Sequence, residues 1–235
     1  MRTFVAVASL AVLLAACERS PAPAPEPPVA DRPVAPAPAT PPVDHPAPPS
    51  AGQQGGSGDW REIARAADAS ALGRLDEAWR LARAEAEEAG FAEQVEALGP
   101  LVDPNAGQAG RLQPAPGAYR CRTIKLGSKG PGGLGYVAYP WFRCMVELTP
   151  GGDLILTKAT GSQRSRGLLY PDTDRRLVFI GAQAWGSGET GYPTYGQTRE
   201  RDQIGVFERI GPERWRLVIP WPKQEAKLEI LELVP

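Results

Sequence analysis

From Gly117 onward, short runs rich in Val, Ile, Tyr and Leu alternate with turn signals, and this rhythm limits the fold more than any other feature. Thr149-Pro-Gly-Gly-Asp153, Pro171-Asp-Thr-Asp174 and Gly211-Pro-Glu213 are the clearest breaks. The pieces between them are too closely spaced to hold the crossovers that parallel strands require. The expectation is an antiparallel meander with strands near 117–126, 135–148, 153–160, 165–171, 175–181, 203–210, 213–219 and 226–233. About eight strands suit an up-and-down barrel or a sandwich, and the barrel is preferred because it leaves few open edges.

Helical periodicity precedes the strands. Asp59-Trp-Arg-Glu62 has the form of a capping box, and a second start follows at Asp68. Leu72, Leu75, Trp79, Ala82 and Ala86 then recur at helical spacing and form a packing stripe. Gly90 ends that helix, and Phe91, Val95 and Leu98 suggest a short third one before Gly99-Pro100. The reading is α+β: two or three helices over 59–103, packed on an antiparallel barrel or barrel-like sheet over 104–235, with 59–235 one folding unit.

Before residue 59 nothing can build a core. Phe4–Leu14 is an apolar run of 11 residues after Met1-Arg2, too short to span a bilayer and the right length for a signal segment. It ends in Leu14-Ala15-Ala16-Cys17, which resembles the lipobox of bacterial lipoprotein signal peptides. That resemblance implies a signal peptide over 1–16, lipidation of Cys17 and anchoring by several acyl chains, since one chain holds only reversibly. Residue 18 is Glu and not Asp, so the expected location is the outer membrane, facing the periplasm. Ser20–Ser50 holds 13 prolines, and the stretch 17–58 is read as a disordered tether.

Two further features bear on function. The segment 59–103 carries 5 basic and 11 acidic residues, whereas 104–180 carries 11 basic and 4 acidic. Either the acidic helices lie against the basic strands, or the strands present a cationic face to an anionic partner. The cysteines of the body, Cys121 and Cys144, flank the Gly-rich turn around Gly132-Gly133. Setting them opposite each other centres the turn there, with Tyr119, Cys121 and Thr123 on one face beside Phe142, Cys144 and Val146. Arg120, Arg122, Arg143 and Glu147 then point the other way. A disulfide is the natural fate of the pair in an oxidising compartment, worth about 3 kcal/mol; buried free thiols or a redox pair are the alternatives.

Tyr119-Arg-Cys-Arg-Thr-Ile-Lys-Leu-Gly127, Trp141-Phe-Arg-Cys144, Thr160-Gly-Ser-Gln-Arg164, Arg176-Leu-Val-Phe-Ile-Gly181 and Arg214-Trp-Arg-Leu217 resemble the bacterial family called domain of unknown function 4893. The resemblance implies an envelope protein, often a lipoprotein, with no assigned activity or catalytic residues.

The residues themselves point away from catalysis. The single histidine, His45, lies in the tether, which removes Ser-His-Asp and Cys-His chemistry and His-ligated zinc from the body. No catalytic residue, cofactor or metal is expected, and no nucleic-acid partner. Two polar stretches stand out as contacts for a ligand or partner. One is Thr160–Arg166, with Gln163 and Arg164, whose bland reading is a turn with its Arg on a helix acid. The other is a loop over 182–201 with Trp185, Tyr192 and Tyr195, long enough to be either functional or disordered. The expected role is a binding or envelope-maintenance module that meets an anionic envelope glycan or an envelope protein. The alternatives are a carboxylate-based hydrolase of envelope polymers, using two of Glu189, Glu200, Asp202 and Glu208, and an inhibitor of an envelope enzyme.

Overall fold

The computed structural model describes residues 58–235. Signal segment, Cys17 and tether lie outside them.

Nine antiparallel strands follow the helices: β1 (Gly117–Ser128), β2 (Tyr136–Ala138), β3 (Phe142–Leu148), β4 (Leu154–Lys158), β5 (Gln163–Pro171), β6 (Arg176–Trp185), β7 (Asp202–Gly211), β8 (Arg214–Pro220) and β9 (Ala226–Val234). From β3 to β9 each pairs with the next along a meander, and β1 pairs with both β3 and β9, which closes eight of them into a barrel with β2 as an additional strand on β1. The strand expected over 135–148 is broken, because Pro140 has no N–H to give to the ladder. β2 therefore pairs with the second half of β1 and β3 with the first half, out of phase by one residue. The turn register is corrected as well. Cys121 faces Phe142 and Cys144 faces Tyr119, so the cysteines sit diagonally and not opposite. Their side chains still share a face, and the Cys121–Cys144 disulfide forms across the diagonal with a Cα–Cα distance of 5.8 Å.

Residues of one parity from the eight barrel strands meet inside. Toward the β1 start they are apolar: Val146, Leu156, Leu169, Phe179, Phe207, Leu217 and Leu231 surround the buried disulfide. Toward the β1 end the same parity turns polar, with Lys125, Lys158, Gln183, Gln203 and Glu229 all buried. Gly167 and Gly181 face each other across β5 and β6, and a Cβ on either would come within 2.6 Å of the other's Cα. Only glycine lets the strands pass so closely beneath the Phe179 ring.

The helices α1 (Trp60–Ile63), α2 (Ala66–Gly73), α3 (Leu75–Ala86) and α4 (Ala92–Glu96) lie on the outer wall. The expected stripe is the packed one: Leu72, Trp79, Ala82 and Ala86 are buried against Ile124, Leu126, Val206, Val218, Leu228 and Ile230. Asp59 caps α1 through the Arg61 N–H, and Gly90 turns the chain at φ 89. Of the two readings of the charge split, the packing one holds in that α3 lies against β1 of the basic segment, but the charges do not pair there. Among the described residues, the helix carboxylates that reach the barrel pair with Lys223 and Lys227, and none pairs with a cation of 104–180.

Arg216 fastens the helical segment to the wall. Its side chain is fully buried, stacks on Trp79 at 5.2 Å and donates to the carbonyls of Pro100, Leu101 and Asp103 at 3.1, 2.9 and 2.7 Å. Glu208 neutralises it at 2.7 Å.

Candidate functional site

The outward residues of β4, β5 and β6 that the helices leave uncovered form the floor of a cleft of about 560 Å³. Ile155, Leu168, Tyr170 and Ile180 make that floor, and Ile63 of α1 closes one side. The far wall is the loop 186–201, whose Tyr192, Pro193, Thr194 and Tyr195 lean over the strands. Arg166 stands at the border. Its one ion pair, to Glu147, is long at 3.9 Å, and the side chain is 40% exposed. Such a volume falls within the range of small-molecule sites. Among the described residues no carboxylate lines it.

The loop is held in place, not loose. Tyr195 donates to Asp68 at 2.7 Å and accepts from the Arg65 N–H at 2.9 Å. Burial, together with the charges of Asp68 and Asp202, pushes its hydroxyl well above the ordinary phenol range. Asp202 pairs with Arg65 at 3.1 Å and accepts from the Gly196 N–H at 2.8 Å. Tyr192 donates to the Lys158 carbonyl at 3.1 Å, with the guanidiniums of Arg164 and Arg166 at 5.7 and 5.6 Å from its ring. Glu189 joins the loop to β6 through the Trp185 N–H at 2.6 Å and pairs with Arg201.

A second polar cluster plugs the nearby end of the barrel. Lys125 bonds Gln163 at 2.6 Å and Glu225 at 2.5 Å, with Glu229 at 3.7 Å. Burial disfavours the Lys125 ammonium, but Glu229 and Glu225 outweigh it and hold the pKa above the usual lysine value. Burial pushes the Glu229 carboxyl up. Lys158 has no such neighbour in contact: it donates to the carbonyls of Thr160 and Gln163 at 2.9 and 2.8 Å and lies 3.9 Å above the Phe142 ring. Burial lowers its pKa to about 8.

The structure thus sorts the residues singled out by sequence. Tyr192 and Tyr195 build the cleft, whereas Arg164 and Trp185 brace its loop from behind. Arg164 donates to the Glu189 carbonyl at 2.5 Å, which corrects the expected pairing with a helix acid. Trp185 is the last residue of β6 rather than part of the loop, bonded to Gln183 at 3.0 Å beneath Arg201. Gln163 turns toward the plug and donates to Gln224 and Glu225, both at 3.0 Å. Arg120, Arg122 and Arg143 project from the outer wall, remote in sequence from the cleft loop, with Arg122 paired to Glu232. Of the candidate hydrolytic acids, Glu189, Asp202 and Glu208 are each neutralised by a different arginine. Among the described residues no group of three or more His, Cys, Asp or Glu side chains is placed to hold a metal ion.

Tyr170, Ile155 and Ile63 were not singled out by sequence, and Arg166 entered only as the end of the Thr160–Arg166 stretch. The available signal was the outward parity of Arg166, Leu168 and Tyr170, a period-two stripe in a strand whose other face carries Gly167 and Leu169.

The domain of unknown function DUF4893 matches residues 60–233, from the first helix to the last strand. The chain belongs to this family. Searches among curated proteins and among solved structures returned no match. The DUF4893 domain accordingly includes helices, barrel and cleft together, with the disulfide at its centre.

Proposed function

We propose that this DUF4893 protein is a lipid-anchored envelope binding module whose tyrosine-walled cleft holds an elongated amphiphile bearing an anionic group. The lipobox-like Leu14-Ala15-Ala16-Cys17 supports the anchor, and a buried disulfide suits a protein that folds in an oxidising compartment. The observation that carries the ligand class is the lining of the cleft: an apolar floor, a wall of tyrosines, an under-neutralised Arg166 at the border and no carboxylate. Apolar surface supplies affinity there and one guanidinium supplies orientation. A hydrolytic role has no support in this lining, since cleavage needs an acid and a base beside the scissile bond.

Calorimetric titration with dodecanoate below its micellar concentration tests the reading. Binding should weaken about tenfold in Arg166→Gln, because a charge-assisted hydrogen bond is lost, and a neutral dodecyl alcohol should not distinguish that variant from wild type. Dodecanoate affinity unchanged in both Arg166→Gln and Tyr192→Ala would refute the assignment.

A further inference from the structure

The outer wall of β1 and β3 carries a charge arrangement that the cleft does not use. Arg120 and Arg143 are direct cross-strand partners, a like-charge placement that costs stability. Among the described residues neither forms an ion pair, and both are exposed. Trp141, displaced outward by the break at Pro140, lies with its ring 5.0 Å from the guanidiniums of both Arg120 and Arg122 and is 41% exposed. The Arg122 charge is shared at Glu232 with Arg214, so four guanidiniums, those of Arg120, Arg122, Arg143 and Arg214, share the wall with two outward carboxylates, Glu232 and, further along β3, Glu147, which pairs with Arg166. Exposed large apolar side chains are concentrated nearby in sequence: Leu134, Tyr139, Trp141 and Leu148, with Ile63 elsewhere.

We infer that this face of the barrel seats on an anionic bilayer surface, with Trp141 at the headgroup level and Arg120, Arg122 and Arg143 against lipid phosphates. The face is the outer side of the barrel wall, and its exposed groups are guanidiniums and an indole. Basic residues around an amphipathic aromatic are what a headgroup layer accommodates. A repelling arginine pair that, among the described residues, no carboxylate relieves is also complementary to a field of negative charge. The inference does not depend on the cleft or its ligand.

The test uses the full chain carrying Cys17→Ser, secreted so that the Cys121–Cys144 disulfide forms, and therefore without a lipid anchor. Sedimentation with phosphatidylglycerol-containing vesicles should show binding that falls with salt, and phosphatidylcholine vesicles should show little. Each of Arg120→Gln and Arg143→Gln should weaken partitioning about fivefold, the usual worth of one basic residue near an anionic surface. The double Arg→Lys variant should retain it, because a surface field needs charge and not a bidentate fork. The blue shift of tryptophan emission on adding vesicles should vanish in Trp141→Phe. Thermal unfolding of each variant verifies that the fold persists, and Arg175→Gln, at an exposed position in the β5–β6 turn, serves as a charge-matched control off the face and off the cleft. No partitioning by the wild type, equal partitioning by Arg120→Gln/Arg143→Gln, or loss on conversion to lysine would overturn the inference. So would heparin binding through the same arginines without vesicle binding, which would assign the face to an anionic glycan.

Discussion

Replacing Arg216 by methionine should be among the most destabilising single changes in this domain. Methionine retains much of the length that packs on Trp79 and removes the charge, so the loss isolates the electrostatic role of the guanidinium. Two groups are stranded. Glu208 loses its partner at 2.7 Å, and the carbonyls of Pro100, Leu101 and Asp103 lose their donors. Breaking a buried pair on one side costs about 3–5 kcal/mol. The separate carbonyl penalties do not add in full, because Asp103 is exposed and its carbonyl can turn to water. A loss of about 4 kcal/mol against a typical total of about 5–15 would leave the domain close to its threshold. In urea, with a slope of about 2 kcal/mol per molar, the unfolding midpoint should drop by about 2 M. Arg216→Lys should be nearly as harmful, since an ammonium cannot serve carboxylate and carbonyls in one plane. The double variant Arg216→Met/Glu208→Gln should recover about 1–2 kcal/mol by removing the stranded charge. A loss below about 1 kcal/mol for Arg216→Met, or no recovery in the double variant, would refute this account.

Three further outcomes are expected. Converting Cys121 and Cys144 together to alanine, across a sequence separation of 23, should cost about 3 kcal/mol in equilibrium unfolding. For Lys158, burial disfavours the charge in full below a pH of about 8 and is relieved as pH rises toward 10.5, so wild type should gain on Lys158→Met across that window by at most about 3 kcal/mol; a pH-independent difference would contradict the lowered pKa. Tyr195→Phe, which removes the bonds to Asp68 and Arg65, should cost about 1–3 kcal/mol and speed amide exchange across 186–201 while leaving β7 and β8 protected.

The strands were legible because their ends are written in turn residues: Thr149–Asp153 and Gly211–Glu213 stop pairing wherever the fold stops it. The α3 stripe was legible because one apolar face is enough to define it. The hairpin register was harder. Parity placed Cys121 and Cys144 on one face correctly, but parity leaves shifts of two residues open, and diagonal neighbours can also be bridged. The cleft was illegible as a site because its floor comes from three strands whose outward residues become neighbours only through register, and its wall comes from a loop fixed by tertiary bonds to α2. The polar plug left a fainter trace. Lys125, Lys158 and Glu229 occupy the parity of Cys121, Leu156 and Leu231, so three charges sit where alternation calls for apolar side chains. Sequence alone gives no reason to prefer a buried charged cluster over a strand that simply ends.

Closing the ring has a consequence for how the chain reaches this state. Arg120 rests against Val234 and Ser128 against Ala226, so the closing contacts bridge 98 to 114 residues. A chain that emerges into its folding compartment in sequence order therefore holds β1 without the strand that completes it until that many residues have followed. Throughout that interval one edge of β1 is open to any extended chain nearby. Arg120 and Arg122, the charges that later crowd Trp141, lie on this waiting strand, and their mutual repulsion between two nascent copies opposes edge-to-edge pairing. A nonsense change that removes β9 would make the interval permanent, leaving both β1 and β8 as open edges and a population of nascent chains prone to joining one another.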